Sequence, residues 1–184
     1  MKYKETLFFV GKCLTINQDS KNKLIIEQTL KSDAIDWDAV VKLSTAHYVF
    51  PALYCNLKKA KFLKYVSKDL VAYMEHITDL NRERNIQIID QAKEINDLMI
   101  ANNIYPIFLK GTSFLIEGLY NDIAERMVGD IDFLVDEKQF LKTINLFKKL
   151  CSNNLEHNKR QEIKNEIKNS YYRSIHFFFS PICT

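Results

Sequence analysis

Ile104-Tyr105-Pro106-Ile107-Phe108-Leu109 runs straight into Lys110-Gly111-Thr112-Ser113, and further along comes Val128-Gly129-Asp130-Ile131-Asp132-Phe133-Leu134-Val135. The first is a short apolar run of β-forming residues that stops at a glycine, which predicts a strand giving way to a helix over Phe114 to about Tyr120. The second predicts another strand, and the apolar spacing of Phe140, Ile144, Leu146, Phe147 and Leu150 predicts an amphipathic helix over Glu137 to Leu150. Strand, helix, strand and helix make a small α/β unit, which we place at residues 103–184.

Outward from this unit, the N-terminal side reads as helical nearly throughout. Only 4 Gly and 3 Pro punctuate the chain, which favours long helices over a sandwich of short strands. Asp33 or Asp36 is placed to cap a helix carrying Trp37, because a carboxylate there accepts from free backbone N–H groups. That helix breaks at His47 to Pro51, and another resumes with the proline in its first turn. Lys68 to Asn102 predicts one long helix whose apolar stripe runs through Tyr73, Ile77, Leu80, Ile88, Ala92, Ile95 and Met99. The expected architecture is thus α+β or α/β: a helical bundle over 1–102 and a small mixed-sheet core over 103–184.

Past Cys151 the sequence is polar through Asn169 and then aromatic from Tyr171 to Phe179, a strand pattern with Ser174, His176 and Phe178 on one face. A Phe-rich strand close to a chain end is an exposed sheet edge, which proteins cover or pair. Two expectations follow: the core continues in a longer chain, and this edge offers a surface for oligomerisation.

Composition sets outer bounds. The 184 residues are 47% hydrophobic and 27% charged with a net charge of +3, which describes an ordinary globular chain and demands neither nucleic acid nor an anionic membrane. Cys13, Cys55, Cys151 and Cys183 stand singly, without CxxC spacing, and read as idle thiols of a reducing compartment rather than a zinc site or disulfide frame. No apolar run approaches the roughly 20 residues of a membrane span, and the Leu7 to Val10 run is too short for a signal peptide, so a cytoplasmic location without membrane partners is expected.

The chemistry concentrates in the two quoted stretches. Asp130 and Asp132, two apart on a strand, face the same way on an otherwise apolar segment, an arrangement that a cation stabilises. Hard carboxylate oxygens with room for water and phosphate suit Mg²⁺ or Mn²⁺. Lys110-Gly111-Thr112-Ser113 stands where a strand meets a helix, with a glycine admitting close approach of an anion and hydroxyls supplying donors. Arg126 adds a charged fork suited to phosphate. A lone His176 on an aromatic strand reads as structural, although it lies where a further ligand or base would be sought.

Taken together, Ile107-Phe108-Leu109-Lys110-Gly111, Leu119-Tyr120, Arg126 and Gly129-Asp130-Ile131-Asp132-Phe133-Leu134-Val135 resemble an uncharacterised nucleotidyltransferase family of the polymerase-beta-like nucleotidyltransferase superfamily. Trp37 to Leu43, Ala46-His47 and Val49 to Tyr54 are similar to that family's helical N-terminal region. The resemblance implies a nucleotidyltransferase core and transfer of a nucleoside monophosphate from an NTP to an acceptor, which is a small molecule, a protein or an RNA end. It implies that Asp130 and Asp132 are catalytic and hold Mg²⁺ or Mn²⁺, and that Lys110, Gly111, Thr112, Ser113 and Arg126 bind the nucleotide. The superfamily also places a third carboxylate on a later neighbouring strand, and Tyr171 to Phe179 carries none. The core is therefore expected either to be C-terminally incomplete or to be a module that keeps the fold as a nucleotide sensor or interaction partner.

Overall fold

The computed structural model of the protein describes residues 2–32, 34–154 and 174–178. The cap expected of Asp33, most of the polar stretch after Cys151, and both ends of the expected last strand lie outside the described residues. The described residues form seven α-helices and a three-stranded sheet, an α+β architecture. They group into two compact units, Met1–Ile86 with Tyr120–Met127, and Gln87–Leu119 with Val128–Thr184.

In the first unit, α1 (Tyr3–Thr15), α2 (Ser20–Lys31), α3 (Trp37–Ala46) and α4 (Phe50–Lys59) pack around a core that includes Phe9, Cys13, Ile26, Val40, Phe50 and Leu57. Asp36 caps α3 as expected, accepting from the Ala39 amide at 3.0 Å. Tyr48, in the left-handed region at φ 57°, turns the chain between α3 and α4, and Pro51 sits in the first turn of α4.

The long helix is α5 (Lys68–Ala101), 34 residues from first to last. Its buried positions are Met74, Thr78, Asn81, Asn85, Ile88, Ala92, Ile95 and Met99, alternating four and three residues apart along one seam. The second half matches the expected stripe. In the first half, Tyr73 and Leu80 are exposed and polar residues take the seam instead. The helix ends at Asn103, whose left-handed φ of 53° lets the Ile104 amide bond back to the Met99 carbonyl.

The sheet belongs to the second unit. Its strands are β1 (Ile107–Phe108), β2 (Asp130–Leu134) and β3 (Ser174–Phe178), in the order β1-β2-β3 with both pairings antiparallel. A strand–helix–strand sequence suggests parallel neighbours, but here the connection from α6 (Lys110–Ile116) to β2 runs through Tyr120–Met127, a segment of the other unit. The central strand β2 buries Ile131 and Phe133, and Phe133 meets Phe108 and Phe147 of α7 (Phe140–Asn154) at ring distances of 6.0 and 6.1 Å. Among the described residues no helix is long and apolar enough to cross a membrane.

α6 starts four residues earlier than its expected Phe114, so Lys110 to Ser113 form its first turn rather than a loop before it. Close packing accounts for the glycine there. A Cβ on Gly111 would stand 2.9 Å from one γ-methyl of Val128 and 3.3 Å from the other, and Val is stiff at χ1. Gly111→Ala is therefore expected to destabilise the protein by about 1–3 kcal/mol in urea unfolding. Adding Val128→Ala should recover part of that loss; purely additive costs would mean the two positions do not meet.

Candidate functional site

The site grows out of the end of β1. Leu109 is still extended and donates its amide to the Asp132 carbonyl at 2.9 Å, continuing the β1–β2 ladder by one residue. At Lys110 the backbone flips into the left-handed region, φ 52°, and enters α6. For a long side chain this conformation is uncommon, and it persists because the strand pairing before it and the helix after it fix both ends. Two residues on, the Thr112 hydroxyl donates to the Asp130 carbonyl at 3.1 Å. Strand and helix are thus stitched to β2 at two successive inward positions.

This stitching sets Lys110 against Asp132. The Lys110 Nζ lies 2.8 Å from Asp132 Oδ2; the carboxylate side chain is 2% exposed and the lysine side chain 62%. Taking a carboxylate this far from water is costly, and contact with the ammonium offsets part of that cost. The same contact, with the field of Asp130 adding to it, holds the Lys110 ammonium above the usual lysine range. Asp130 is half-buried and follows the two-residue alternation of β2, so it shares the face of Asp132.

The other expected residues fall into place around this pair in different ways. Gly111 and Thr112 are buried, the one facing Val128 and the other bonded to β2. Ser113 is half-buried, its hydroxyl donating to the Lys110 carbonyl at 3.0 Å. Across the sheet, the antiparallel register sets His176 opposite Asp132 and Phe178 opposite Asp130. None of the five β3 residues is acidic, and among the described residues no three His, Cys, Asp or Glu side chains gather into a metal-binding group.

The model of a family described as uncharacterised nucleotidyltransferase matches residues 33–176, from just before α3 to β3, taking in every residue of this site. The chain belongs to that family. No similarity to a curated protein or to a solved structure was found.

Arg126, the remaining residue expected to bind nucleotide, belongs to the first unit. Its side chain is exposed, and its backbone is gripped by α5. Asn81 Nδ2 donates to the carbonyls of Ala124 and Arg126 at 2.8 and 3.0 Å, and Asn85 Nδ2 to those of Ile123 and Arg126 at 2.6 and 2.7 Å. Between them Arg82 forms a two-pronged pair with Asp122, Nε to Oδ1 at 3.1 Å and Nη2 to Oδ2 at 2.8 Å, while Asp122 also accepts from the Ala124 amide. Nothing in the sequence reading singled out Asn81, Arg82, Asn85 or Asp122. The available signal was two Asn residues four apart inside a long helix, where Asn is a poor helix former and needs a tertiary reason.

Cys55, half-buried with its Sγ 3.9 Å from Asp122, has its thiol pushed up to about 12, by burial first and then by the Asp122 charge, so it carries no thiolate at neutral pH.

Asn85→Ala is expected to cost about 1–3 kcal/mol, because it leaves buried carbonyls without their donor. Hydrogen exchange should then accelerate at the Ala124 to Met127 amides before it does in α1 to α4; uniform acceleration would argue against a local clamp. A second expectation concerns pH. The Arg82 guanidinium, helped by the Ala124 amide and opposed by partial burial, holds Asp122 below its ordinary 3.8. A lowered carboxylate contributes stability that is complete above the unfolded value and is lost as pH falls through the folded one. The stability gap between the parent and Asp122→Asn should therefore be flat above about pH 5 and close below 3.8. A gap that persists to the lowest pH would mean the ion pair is not its source.

Proposed function

We propose that the protein is a metal-dependent nucleotidyltransferase that transfers a nucleoside monophosphate from an NTP to an acceptor. What carries this reading, beyond family membership, is the buried Asp132 carboxylate on the face it shares with Asp130, with the Lys110 ammonium 2.8 Å away. Two hard carboxylates beside one another are the donor chemistry Mg²⁺ or Mn²⁺ selects, and such ions fill the rest of their shell with water and substrate phosphate. When bound, the metal would offset the charge that develops on the phosphate oxygens during transfer.

The remaining roles belong to the chain itself. Asp130 and Asp132 hold the cation. Lys110 supplies an ammonium to nucleotide phosphate, and the partly open Ser113 hydroxyl supplies a donor by turning away from the Lys110 carbonyl. Gly111 and Thr112 contribute by seating α6 on β2, which fixes where those groups stand. Arg126, its backbone held by two buried amides, keeps the residue chemistry expected of a phosphate contact. The acceptor is a small molecule, a protein or an RNA end.

One observation favours a second reading, a module that binds nucleotide without turning it over: β3 carries no acid opposite the Asp130–Asp132 pair. Calorimetric titration with ATP, CTP, GTP and UTP, in Mg²⁺ and in EDTA, followed by a pyrophosphate assay, separates the two. The transferase reading expects metal-dependent binding with pyrophosphate release, and expects the double variant Asp130→Asn, Asp132→Asn to lose both. Binding without release would select the second reading, and unchanged MgATP binding by the double variant would remove the acid pair from either.

A further inference from the structure

We infer that Lys110 is a resident counter-ion of Asp132 that gives up this place to an arriving divalent cation, so that metal loading frees its ammonium for the phosphates of the nucleotide. This inference rests on the reading of Asp130 and Asp132 as the metal-holding pair.

The two partners differ sharply in freedom. Asp132 is fixed and buried, on the central strand, with its own carbonyl bonded to the Leu109 amide. Lys110 is anchored only at its main chain, and most of its side chain is open to solvent. Moving the ammonium away therefore disturbs no packed core, whereas moving the carboxylate would break the sheet. The backbone does not need to follow, since the Leu109 and Thr112 hydrogen bonds to β2 hold it on either side of Lys110.

Competition follows from charge and space. An ammonium at 2.8 Å occupies Asp132 Oδ2. A divalent cation needs the same carboxylate and repels a cation at contact distance, so its arrival weakens the ammonium's hold on that oxygen. Asp130, on the same face, adds a second negative charge that benefits a doubly charged ion more than a single ammonium. Once displaced, a lysine on a solvent-open stem beside the metal-bound phosphates has an anion to meet. The exchange thus gives Asp132 a counter-ion before metal arrives, with the same residue serving nucleotide afterwards.

The inference makes an unusual demand on one variant: Lys110→Met should change affinity for metal and for nucleotide in opposite directions. Mn²⁺ titrated into the full chain without nucleotide, read by electron paramagnetic resonance, should bind about tenfold more tightly to Lys110→Met than to the parent, a modest value for a close charge pair that is partly open to water. Lys110→Arg should stay near the parent, and Asp132→Asn should lose the site. ATP in saturating Mn²⁺ should bind Lys110→Met about tenfold more weakly. In EDTA, Lys110→Met should melt below the parent, and Mn²⁺ should close the gap.

Equal Mn²⁺ affinity in the parent and Lys110→Met would overturn the exchange while leaving the metal pair standing. Absence of Mn²⁺ binding in both would overturn the metal pair and the exchange with it. Should Lys110→Met fail to fold, the parent suffices: with ¹⁵N-labelled lysine, adding Mg²⁺ alone should shift the Lys110 ammonium resonance, and an unmoved resonance while Mg²⁺ binds would overturn the exchange.

Discussion

A carboxylate carried on the middle strand of a sheet and closed off from water has to be matched by positive charge, and in this protein the matching begins with Asp132 and Lys110. Removing either partner of a buried ion pair is usually worse than never having built one, because the survivor keeps its desolvation cost. That constraint reaches well beyond the pair. It requires β1 to end where it does, since Lys110 follows the last residue whose amide bonds to the Asp132 carbonyl. It also requires the chain to flip into the left-handed region at a lysine, which only rigid neighbours on both sides sustain.

Those neighbours are supplied by small residues used for packing and anchoring. Gly111 brings α6 against Val128 at a distance no side chain would allow, and Thr112 then bonds the helix to the carbonyl of Asp130. A Gly-Thr-Ser string at a strand–helix junction invites a reading in which all three residues face an anion. Here Gly111 faces Val128 and Thr112 bonds to β2, and the polar atoms left toward solvent belong mainly to Lys110 and Ser113. Packing and solvent exposure are thus divided between neighbouring residues of one turn.

How much of this was legible in the sequence depended on whether a residue's type announces its role. The acid pair on a strand was readable because two charges at a spacing of two among Ile, Phe, Leu and Val have no ordinary explanation. The helix carrying Trp37, its Asp36 cap and the long α5 were readable from spacing and capping chemistry. The direction of strand pairing was not, because it depends on the path of the connection, and the connection leaves the sheet's unit altogether. The start of α6 was hidden for another reason. Lysine is not a residue expected to open a helix with positive φ, and the tertiary contacts that hold it there have no local signature.

The first half of α5 failed for the most instructive reason. A stripe sought through apolar residues picks Tyr73 and Leu80, yet the seam runs through Thr78, Asn81 and Asn85 at the same four-three spacing that Ile88 to Met99 continue. Asparagine takes a core position when something there needs donors, and here the carbonyls of Ile123, Ala124 and Arg126 are what the two amides meet. Each buried amide spans two carbonyls of that segment, both share the carbonyl of Arg126, and Arg82 reaches between them to Asp122. A stretch that reads as a polar turn is thereby held as firmly as a packed one. The backbone of Arg126 is fixed while its side chain stays in solvent, so less freedom would be left to lose on binding for a ligand that met this guanidinium.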